Sequence, residues 1–405
     1  MNQSDKVDVI VVGAGHSGLT MAYILGLYGL SVAVIDQGTL AMKKQQDQDR
    51  RTTALSYSTM QLYEAIGLAD SLKKKSCPIL DIRVSDKNSF FYVHFDHEQR
   101  GKGPMGWITE NVVLSRELID RLVLLDNIRV IENASIESIE TDTAGAAVHL
   151  KSGARVKGSL LIGADGKNSY CRKAAKIGVQ DYKYDQKALI CTIKHTKPHH
   201  NYAVEYFFPN GPFALLPMCN NRMSVVWAEP SVLADDYVKR SPEQILGLLS
   251  QKITMDLGEI SIEGKVASYP LSLSFAETYV APSLALIGDA AHGVHPLAGQ
   301  GFNLGVRDVA VLAEEIVKAK RLGLHIGSLN VLETFEQARR FDNGVMIFAT
   351  DFLNRLFSNQ NSVLRRIRNI GFWAVERTQV AHQFFMAEAM GDFGSLPLLL
   401  QGKSL

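Results

Sequence analysis

Three glycine-rich turns, each followed by helix-forming sequence, contain the residues best suited to chemistry. In the first, an apolar, β-branched strand at 7–12 leads into Gly13, Gly15 and Gly18. This G-x-G-x-x-G spacing suits a pyrophosphate, because Gly13 permits a tight turn, Gly15 lets phosphates approach the backbone, and Gly18 lets the next helix pack closely. The free amides and the dipole of that helix also favour the phosphate charge.

A carboxylate follows at the distance expected for a nucleotide site. The second apolar strand, at 31–35, ends in Asp36, eighteen residues after Gly18. A carboxylate there can accept hydrogen bonds from a ribose 2′-hydroxyl and repel a 2′-phosphate. Strand, turn, helix and acid therefore predict a bound dinucleotide, and a glycine-rich turn in an ordinary α/β core is the less favoured alternative. This motif alone does not separate NAD from FAD.

The second turn repeats the combination of glycine and aspartate. A strand at 160–162 precedes Asp165 and Gly166, and a basic helix is expected from Lys167 onward. An NAD-dependent dehydrogenase usually needs only the first turn. A second one therefore favours a different class of nucleotide-binding protein.

The third turn lies far along the chain. A strand at 284–287 ends in Gly288 and Asp289, and a glycine-rich loop at 296–303 precedes an apolar helix. The loop residues of interest are Pro296, Gly299, Gln300, Gly301 and Asn303.

In this order, the three turns resemble those of the FAD-dependent aromatic hydroxylases, the single-component flavoprotein monooxygenases that include para-hydroxybenzoate hydroxylase. The resemblance covers nearly the whole chain. Beyond the turns themselves it rests on Ser169, Arg172 and His292. It implies an α/β fold, with a Rossmann-like FAD-binding domain, an inserted β-sheet substrate domain and a helical C-terminal region.

The resemblance implies that FAD is the cofactor and that all three turns contact it. Asp289 would bond the ribityl chain, and the loop at 296–303 would lie along the isoalloxazine, where a helix N-terminus stabilises negative charge. Arg51, or its neighbour Arg50, and Arg116 would lie near the phosphates or the ribityl chain, and a backbone group at Ile136 would meet adenine. The expected cofactor contacts are Gly13, Gly15, Gly18, Asp36, Arg51, Arg116, Ile136, Asp165, Asp289, Pro296, Gly299, Gln300, Gly301 and Asn303.

The same resemblance implies the reaction. NAD(P)H would act as a transient co-substrate that reduces FAD, and O2 would add at flavin C4a to give a hydroperoxide that attacks an electron-rich ring. A single nucleotide fingerprint and no Cys-x-x-Cys pair disfavour disulfide reductases and enzymes with two nucleotide-binding domains. No side chain is identified as a catalytic base, no metal-ligand spacing occurs, and His292 and His295 are interpreted as structural.

The strand and helix patterns predict a discontinuous FAD-binding domain at 1–75, 100–180 and 275–340. The substrate domain is expected in two inserted pieces, 76–99 and 181–274, each rich in strand-forming sequence broken by turn residues. The remaining residues, 341–405, are expected to be a helical C-terminal region.

The C-terminal region resembles one branch of the family, the ubiquinone-biosynthesis hydroxylases, through the runs at 339–343, 350–358, 364–372 and 390–391. This implies hydroxylation of the ring of a polyprenylated phenol. Two alternatives stay open. A hydroxylase of a small soluble aromatic acid would need an arginine in the substrate sheet, where only Arg222 is near. A non-catalytic FAD-binding scaffold in a biosynthetic complex is the other.

The apolar strands of the substrate domain suggest where a prenyl tail would lie. The candidate residues are Tyr206, Phe208, Phe213, Leu215 and Pro217. Alternation along a strand puts Phe213, Leu215 and Pro217 on one face, and Ala214 and Leu216 on the other. Either set could line the substrate tunnel.

Composition limits the partners. The chain has 405 residues and a net charge of +1, so no global field favours nucleic acid, and none is expected as a partner. Four scattered cysteines fit a reducing compartment. We expect a cytoplasmic protein that meets other ubiquinone-biosynthesis proteins. The basic and aromatic run at 364–373 suggests either contact with the inner face of a membrane or a helix packed on the FAD-binding domain.

Overall fold

The structure is a computed structural model of the chain. It describes residues 6–45, 51–86, 92–99, 101, 103–293, 300–357, 378, 382–383, 386–387, 389–392 and 394–405. Pro296 and Gly299 lie outside the described residues, as do Arg50, His295 and the run at 364–373.

The first of three sheets has eight strands. They are β1 (Lys6–Val12), β2 (Val32–Ile35), β8 (Ile128–Ile131), β9 (Ile136–Asp142), β10 (Gly145–Leu150), β11 (Arg155–Gly163), β17 (Val280–Ala281) and β18 (Leu284–Leu286). The order is β17-β18-β11-β1-β2-β8, with β10 paired to β11 and β9 to β10. The central strands from β18 to β8 are all parallel. The apolar runs of β1 and β2, at the centre, are buried on both faces, as is typical of parallel sheets.

The second sheet also has eight strands and is mostly antiparallel. They are β5 (Asp81–Asp86), β6 (Tyr92–Asp96), β12 (Val179–His195), β13 (Tyr202–Phe208), β14 (Gly211–Met218), β15 (Arg222–Pro230), β16 (Ile260–Ala276) and β19 (His292–Gly293). The order is β19-β16-β12-β15-β14-β13-β5-β6, and only the β13–β5 pair is parallel. Because β19 directly follows the third turn, this sheet is joined to the predicted cofactor site.

A small third sheet lies against the second. Its strands are β3 (Thr52–Ser56), β4 (Cys77–Ile79) and β7 (Gly106–Glu110), in the order β3-β7-β4. The Thr52 hydroxyl donates a hydrogen bond to Ser224 Oγ in β15 at 3.1 Å. The face of the second sheet that carries Ser224 is therefore turned toward β3.

Ten helices are formed by the described residues. They are α1 (His16–Leu27), α2 (Leu40–Lys44), α3 (Tyr57–Ala65), α4 (Ala69–Lys75), α5 (Asn111–Leu122), α6 (Tyr170–Ala174), α7 (Ser231–Tyr237), α8 (Pro242–Ser250), α9 (Gln300–Arg321) and α10 (Leu329–Phe357). None of them is both long and apolar enough to cross a membrane.

Two large hydrophobic clusters hold these layers together. The first surrounds the parallel sheet and includes β1, α1 and α9, with Ile10, Leu19 and Val309 fully buried. The second lies where α7 and α8 cover one face of the second sheet, and it includes Ala234 and Leu249 from those helices. The domain boundaries themselves stay a prediction.

Two local predictions were wrong. The loop expected to reach Asn303 ends earlier, because α9 begins at Gln300 and Asn303 lies in its first turn. The helix expected from Lys167 begins at Tyr170, because Ser169 caps it and Gly166 has a φ of +79°, which interrupts helical backbone. Both errors concern where a glycine-containing turn gives way to a helix.

Candidate active site

The three predicted turns meet at one edge of the parallel sheet. In the register of the strands, Val12 lies beside both Gly163 and Ile35, and Gly163 lies beside Leu286. Backbone hydrogen bonds join the turns directly: Ala164 N donates to Val12 O at 2.8 Å, and Ile287 N donates to Gly163 O at 3.0 Å. The carboxyl ends of parallel strands are where α/β folds bind ligands, so this edge is the candidate cofactor site.

The first turn leaves the start of α1 open. Gly13 has a φ of +104°, and a Cβ there would lie 2.3 Å from Ala164 O, so only glycine fits. Gly15 is the N-cap of α1, is exposed, and supplies no side-chain cap to the first-turn amides. A Cβ added at Gly15 would meet nothing within 4 Å. The first-turn amides of α1 and the space beside Gly15 are suited to binding a diphosphate.

Asp36 lies next to this turn and is tied to it. Its carboxylate accepts hydrogen bonds from Ala14 N at 2.6 Å and from Gly38 N at 2.8 Å. Lys43 Nζ is 3.3 Å from Asp36 Oδ1. Since a carboxylate offers about four acceptor positions, these contacts leave capacity for a ribose hydroxyl.

The second turn is shaped by its own polar side chains. The Asp165 carboxylate accepts hydrogen bonds from Ser169 Oγ at 2.6 Å, Tyr170 N at 2.6 Å and Cys171 N at 3.0 Å. Asp165 therefore caps α6. Arg172 is buried and donates to Ala290 O at 2.7 Å and Lys167 O at 2.8 Å, so it joins the second turn to the third.

Asp289 faces a cleft in the third turn. Its side chain is exposed to solvent, yet burial raises its pKa, with the charges of His292 and Lys167 partly opposing that rise. The exposure and the raised pKa are compatible if protein atoms surround the carboxylate on most sides while one side stays open to solvent. This open side is at the same sheet edge as Gly15, as an elongated dinucleotide requires.

The structure describes three further predicted cofactor residues, Arg51, Arg116 and Ile136. Arg51 is exposed, with its guanidinium carbon 5.5 Å from the centre of the Tyr269 ring. Arg116, on α5, is half-buried and donates from Nε to Lys44 O at 2.6 Å. Ile136 begins β9, close to Asp36, whose carbonyl accepts a hydrogen bond from Ala134 N at 2.9 Å.

The Asn303 side chain forms hydrogen bonds within the protein. Its Oδ1 accepts hydrogen bonds from Ser56 N at 3.0 Å and Thr59 Oγ1 at 2.8 Å, and its Nδ2 donates to Ala54 O at 2.9 Å. Asn303 therefore fixes the start of α9 against β3 and α3. Gln300 and Gly301 are the first residues of α9, where backbone amides favour negative charge.

His16 was missed by the sequence reasoning. Its Nε2 is 2.9 Å from Ser115 Oγ and 3.1 Å from Asn111 O, both in α5. Its ring also meets Phe302 edge-on, with the ring centres 5.7 Å apart. His16 thus joins α1, α5 and α9 around the site. The only sequence signal was a polar ring inside the G-x-G-x-x-G run.

Comparison with known proteins agrees with this geometry. A family model described as an FAD binding domain matches residues 6–340. The ubiquinone hydroxylase UbiL of Rhodospirillum rubrum is 41% identical over 389 residues, which cover 96% of this chain and 90% of that protein. The 3-demethoxyubiquinol 3-hydroxylase of Escherichia coli is 30% identical, with coverage of 96% and 99%. Among solved structures, p-nitrophenol 4-monooxygenase PnpA from Pseudomonas putida has a TM-score of 0.79 at 18% identity, with coverage of 96% and 100%.

This chain belongs to the FAD-binding family. The predicted resemblance to FAD-dependent aromatic hydroxylases is confirmed, and so are the α/β fold class and the assignment as an FAD-dependent monooxygenase. The open start of α1, the space beside Gly15 and the cleft-facing Asp289 fit FAD. When bound, FAD supplies the redox chemistry, and the protein orients it and excludes water.

The predicted substrate side chains lie on the covered face of the second sheet. Phe213 and Leu215 are fully buried, and Phe208 is 6% exposed, all in the cluster beneath α7 and α8. Tyr206 packs against the same cluster and its hydroxyl pairs with Thr254 Oγ1, while Pro217 is also buried.

Part of the opposite face is apolar and half-buried, whereas Thr192 and Ser224 on the same face are fully buried. Across neighbouring strands, Ile190 lies beside Val226, Val226 beside Ala214, and Ala214 beside Glu205. Leu216 lies on the same face, beside Ser224, which bonds Thr52 of β3. We call Ile190, Ala214, Leu216 and Val226 the inner face.

Arg222, the arginine nearest to the predicted cleft, is already paired. Its Nη2 is 2.7 Å from Glu110 Oε1, and its Nη1 is 3.6 Å from Glu263 Oε2. Burial lowers the pKa of Arg222, but the two carboxylates more than compensate and raise it overall. Two carboxylates thus occupy the guanidinium that a small aromatic acid would need.

Proposed function

We propose that this FAD-dependent hydroxylase acts on the ring of a polyprenylated phenol, a ubiquinone precursor, with NAD(P)H as reductant and O2 as oxygen source. The names of its relatives support the substrate class: one is a ubiquinone hydroxylase and another a 3-demethoxyubiquinol 3-hydroxylase. The observation that carries the proposal is the convergence of three turns on one sheet edge, in a chain whose second sheet has a group of half-buried apolar side chains on its inner face.

The proposed FAD contacts follow from the geometry. The amides around Gly15 would bind the diphosphate, Asp36 the adenosine ribose and Asp289 the ribityl chain. Arg51, Arg116 and a backbone group at Ile136 complete the proposed set around the edge. At the flavin end, the N-terminus of α9 would stabilise negative charge. Asp165 acts by shaping the second turn.

The proposed prenyl site is the inner face. Four apolar side chains there are half-buried, whereas Phe208, Phe213 and Leu215 beneath α7 and α8 are buried. Each methylene removed from water contributes about 0.8 kcal/mol, so several prenyl carbons dominate the affinity over the phenol head. The pairing of Arg222 with Glu110 and Glu263 weakens the alternative of a small aromatic acid, which lacks a free arginine at that position.

A series of phenols that differ in prenyl tail length tests this function. We expect kcat/KM for NAD(P)H-dependent hydroxylation to rise steeply across phenols with none, one, two and three prenyl units. The reason is the burial of additional methylenes on the inner face. The measurement is NAD(P)H oxidation together with chromatographic quantification of the hydroxylated product. Equal kcat/KM for short and long tails, or a preference for a free benzoate, would contradict the proposal.

A matched pair of variants locates the tail within the same series. Ala214→Phe adds bulk to the inner face and should reduce kcat/KM for long-tailed phenols about tenfold or more, with little effect on the untailed phenol. Tyr206→Phe changes the opposite, covered face and should preserve the length dependence. If instead Tyr206→Phe abolished the length dependence and Ala214→Phe preserved it, the prenyl site would lie beneath α7 and α8.

We also propose contact with a membrane surface, since the substrate is lipophilic. The basic and aromatic run at 364–373 is the sequence basis, and it lies outside the described residues. Flotation of the full chain with anionic vesicles measures this contact, with zwitterionic vesicles as the control. Failure to float with either would leave the run as a packed helix.

A further inference from the structure

One buried carboxylate, that of Asp308 in α9, is bound to the third turn on both sides of Asp289. Asp308 is fully buried. Its Oδ2 accepts a hydrogen bond from Gly288 N at 3.0 Å and lies 2.6 Å from His292 Nε2. Gly288 directly precedes Asp289 in the chain, and His292 follows shortly after it. The backbone that carries Asp289 is therefore tied to α9 at two points.

The other oxygen of Asp308 is held by α10. Arg339 is fully buried and donates from Nε to Asp308 Oδ1 at 2.9 Å. Burial raises the pKa of Asp308, but its hydrogen bonds with His292 and Arg339, and the guanidinium charge, outweigh burial and lower the pKa to about 2. Because an ionised carboxylate only accepts hydrogen bonds, His292 Nε2 is the donor in its bond to Asp308. Both oxygens of Asp308 thus have fixed partners.

The same stretch of α9 packs closely against the third turn and against α1. A Cβ added at Gly305 would lie 3.2 Å from Gly288 Cα and 3.1 Å from Ser17 Oγ. Gly305 and Asp308 are three residues apart and therefore lie on one face of α9. Ser17 belongs to the first turn of α1, which begins next to Gly15. At this face α1, the third turn and α9 meet with little room to shift.

Each of these three elements carries a proposed FAD contact. The amides at the start of α1 would bind the diphosphate, Asp289 the ribityl chain, and the start of α9 the flavin. At a rise of about 1.5 Å per residue, Gly305 and Asp308 lie about 7.5 and 12 Å along α9 from its first residue, Gln300. Moving the first amides of α9 away from Asp289 therefore requires breaking the contacts of Gly305 and Asp308 with the third turn.

We propose that Asp308 is a positioning residue for FAD, which holds the turn of Asp289 and the start of α9 at one fixed separation, with Arg339 orienting its carboxylate. An elongated cofactor binds most tightly when its contacts are already correctly spaced, because binding then does not have to order them. This inference rests on the proposed contacts of Asp289 and α9 with FAD. It does not depend on which aromatic substrate the enzyme takes, because its tests measure bound FAD alone.

Asp308→Asn tests this role with almost no change in side-chain volume. An amide has a single oxygen, so it cannot accept from Gly288 N on one side and from Arg339 on the other. We expect the Kd for FAD, from flavin fluorescence titration of the full chain, to rise on the order of tenfold. At saturating FAD, the reduction potential of the bound flavin should become more negative, because a displaced α9 stabilises the negatively charged reduced form less. A residue with only a structural role would change neither quantity in protein that is folded.

Asp342→Asn is the matched control. Asp342 accepts a hydrogen bond from Arg339 Nη1 at 2.8 Å, whereas Asp308 accepts from Arg339 Nε. The control therefore removes a carboxylate of the same network and leaves the bonds of Asp308 in place. It should lower the thermal stability while leaving the Kd for FAD and the reduction potential as in the wild type. Equal rises in Kd for Asp308→Asn and Asp342→Asn would overturn the proposal.

Gly305→Ala carries the test if Asp308→Asn does not fold. Alanine has a higher helix propensity than glycine, so α9 itself is not weakened. The added Cβ nevertheless presses on Gly288 Cα, a backbone atom that cannot rotate away. We expect the Kd for FAD to rise severalfold. Gly344→Ala in α10, where a Cβ meets nothing within 4 Å, is the control and should keep the wild-type affinity. Wild-type affinity in Gly305→Ala would overturn the positioning role.

Asp289→Ala separates a failure of this inference from a failure of the FAD assignment. If Asp289→Ala binds FAD as the wild type does, the proposed contact of Asp289 with FAD is wrong, and the positioning role is overturned with it. If Asp289→Ala weakens FAD binding and Asp308→Asn does not, the FAD contact stands and the positioning role alone is overturned. Weaker binding in both variants, with Asp342→Asn unchanged, is the expected result.

Discussion

Gly15→Val is expected to give a folded protein that is purified without FAD. A Cβ at Gly15 meets no protein atom within 4 Å and the residue has a φ of −72°, so the protein itself tolerates a side chain there. That same space is where a diphosphate would approach the amides of α1. We expect FAD affinity to fall by roughly 100-fold or more, about 2.8 kcal/mol. The measurement is the ratio of FAD to protein from visible absorbance, with thermal unfolding of the FAD-free proteins alongside.

Two other glycines make the result specific. Gly247, in α8, also has nothing within 4 Å of its Cβ position, so Gly247→Val should fold and keep its FAD. Gly18→Val should fail differently, because its Cβ would lie 2.0 Å from Gly13 O and must displace the turn. FAD bound at full stoichiometry in Gly15→Val would show that the diphosphate lies elsewhere.

The second large effect is on stability. Asp308→Ala is expected to reduce the free energy of unfolding by about 3–5 kcal/mol, because it leaves the buried charge of Arg339 without its carboxylate and the buried His292 Nε2 without its acceptor. Urea unfolding followed by circular dichroism measures this loss. Asp235→Ala breaks an ion pair with Lys187 in which the Asp235 side chain is 52% exposed. This variant should lower the free energy of unfolding by less than about 1 kcal/mol. Similar losses of unfolding free energy in the two variants would show that the buried ion pair of Asp308 with Arg339 adds little to stability.

Asp308→Ala should also change how the free energy of unfolding depends on pH. The pKa of Asp308 is lowered from 3.8 to about 2, so its ionised form stabilises the native state fully above the usual carboxyl pKa. That contribution is lost as the pH falls from about 4 toward 2. Asp308→Ala lacks it at every pH. The difference in stability between wild type and variant should therefore narrow on acidification below pH 4, and a constant difference would assign the loss to packing alone.

The cofactor edge was predictable because its signals are local. A buried strand, a glycine turn and a helix lie within about twenty residues at each turn, and the backbone at Gly13 permits only glycine. Since parallel strands end at one edge, the three turns had to meet once the sheet was predicted. The class of fold followed from these features, and the resemblance of the three turns to those of FAD-dependent aromatic hydroxylases identified the cofactor as FAD.

The roles of individual polar residues were harder to predict. Asp165 has the same sequence context as Asp289, yet it caps α6 while Asp289 faces the cleft. Asp308 and Arg339 are 31 residues apart, on two helices, and no local pattern marks them as partners. Such pairings depend on how helices pack, which sequence periodicity alone does not specify.

The sequence by itself determined the three nucleotide turns, the sheets and the alternation of side chains along the substrate strands. The tertiary structure decided which face of those strands is covered. Alternation assigns Phe213 and Leu215 to one face and Ala214 and Leu216 to the other, whichever way the sheet is turned. The docking of α7 and α8 buries the first set, while Ala214 and Leu216 on the face toward the third sheet stay half-buried. That docking buries apolar surface between elements distant in sequence, so the choice of face is a property of the whole fold.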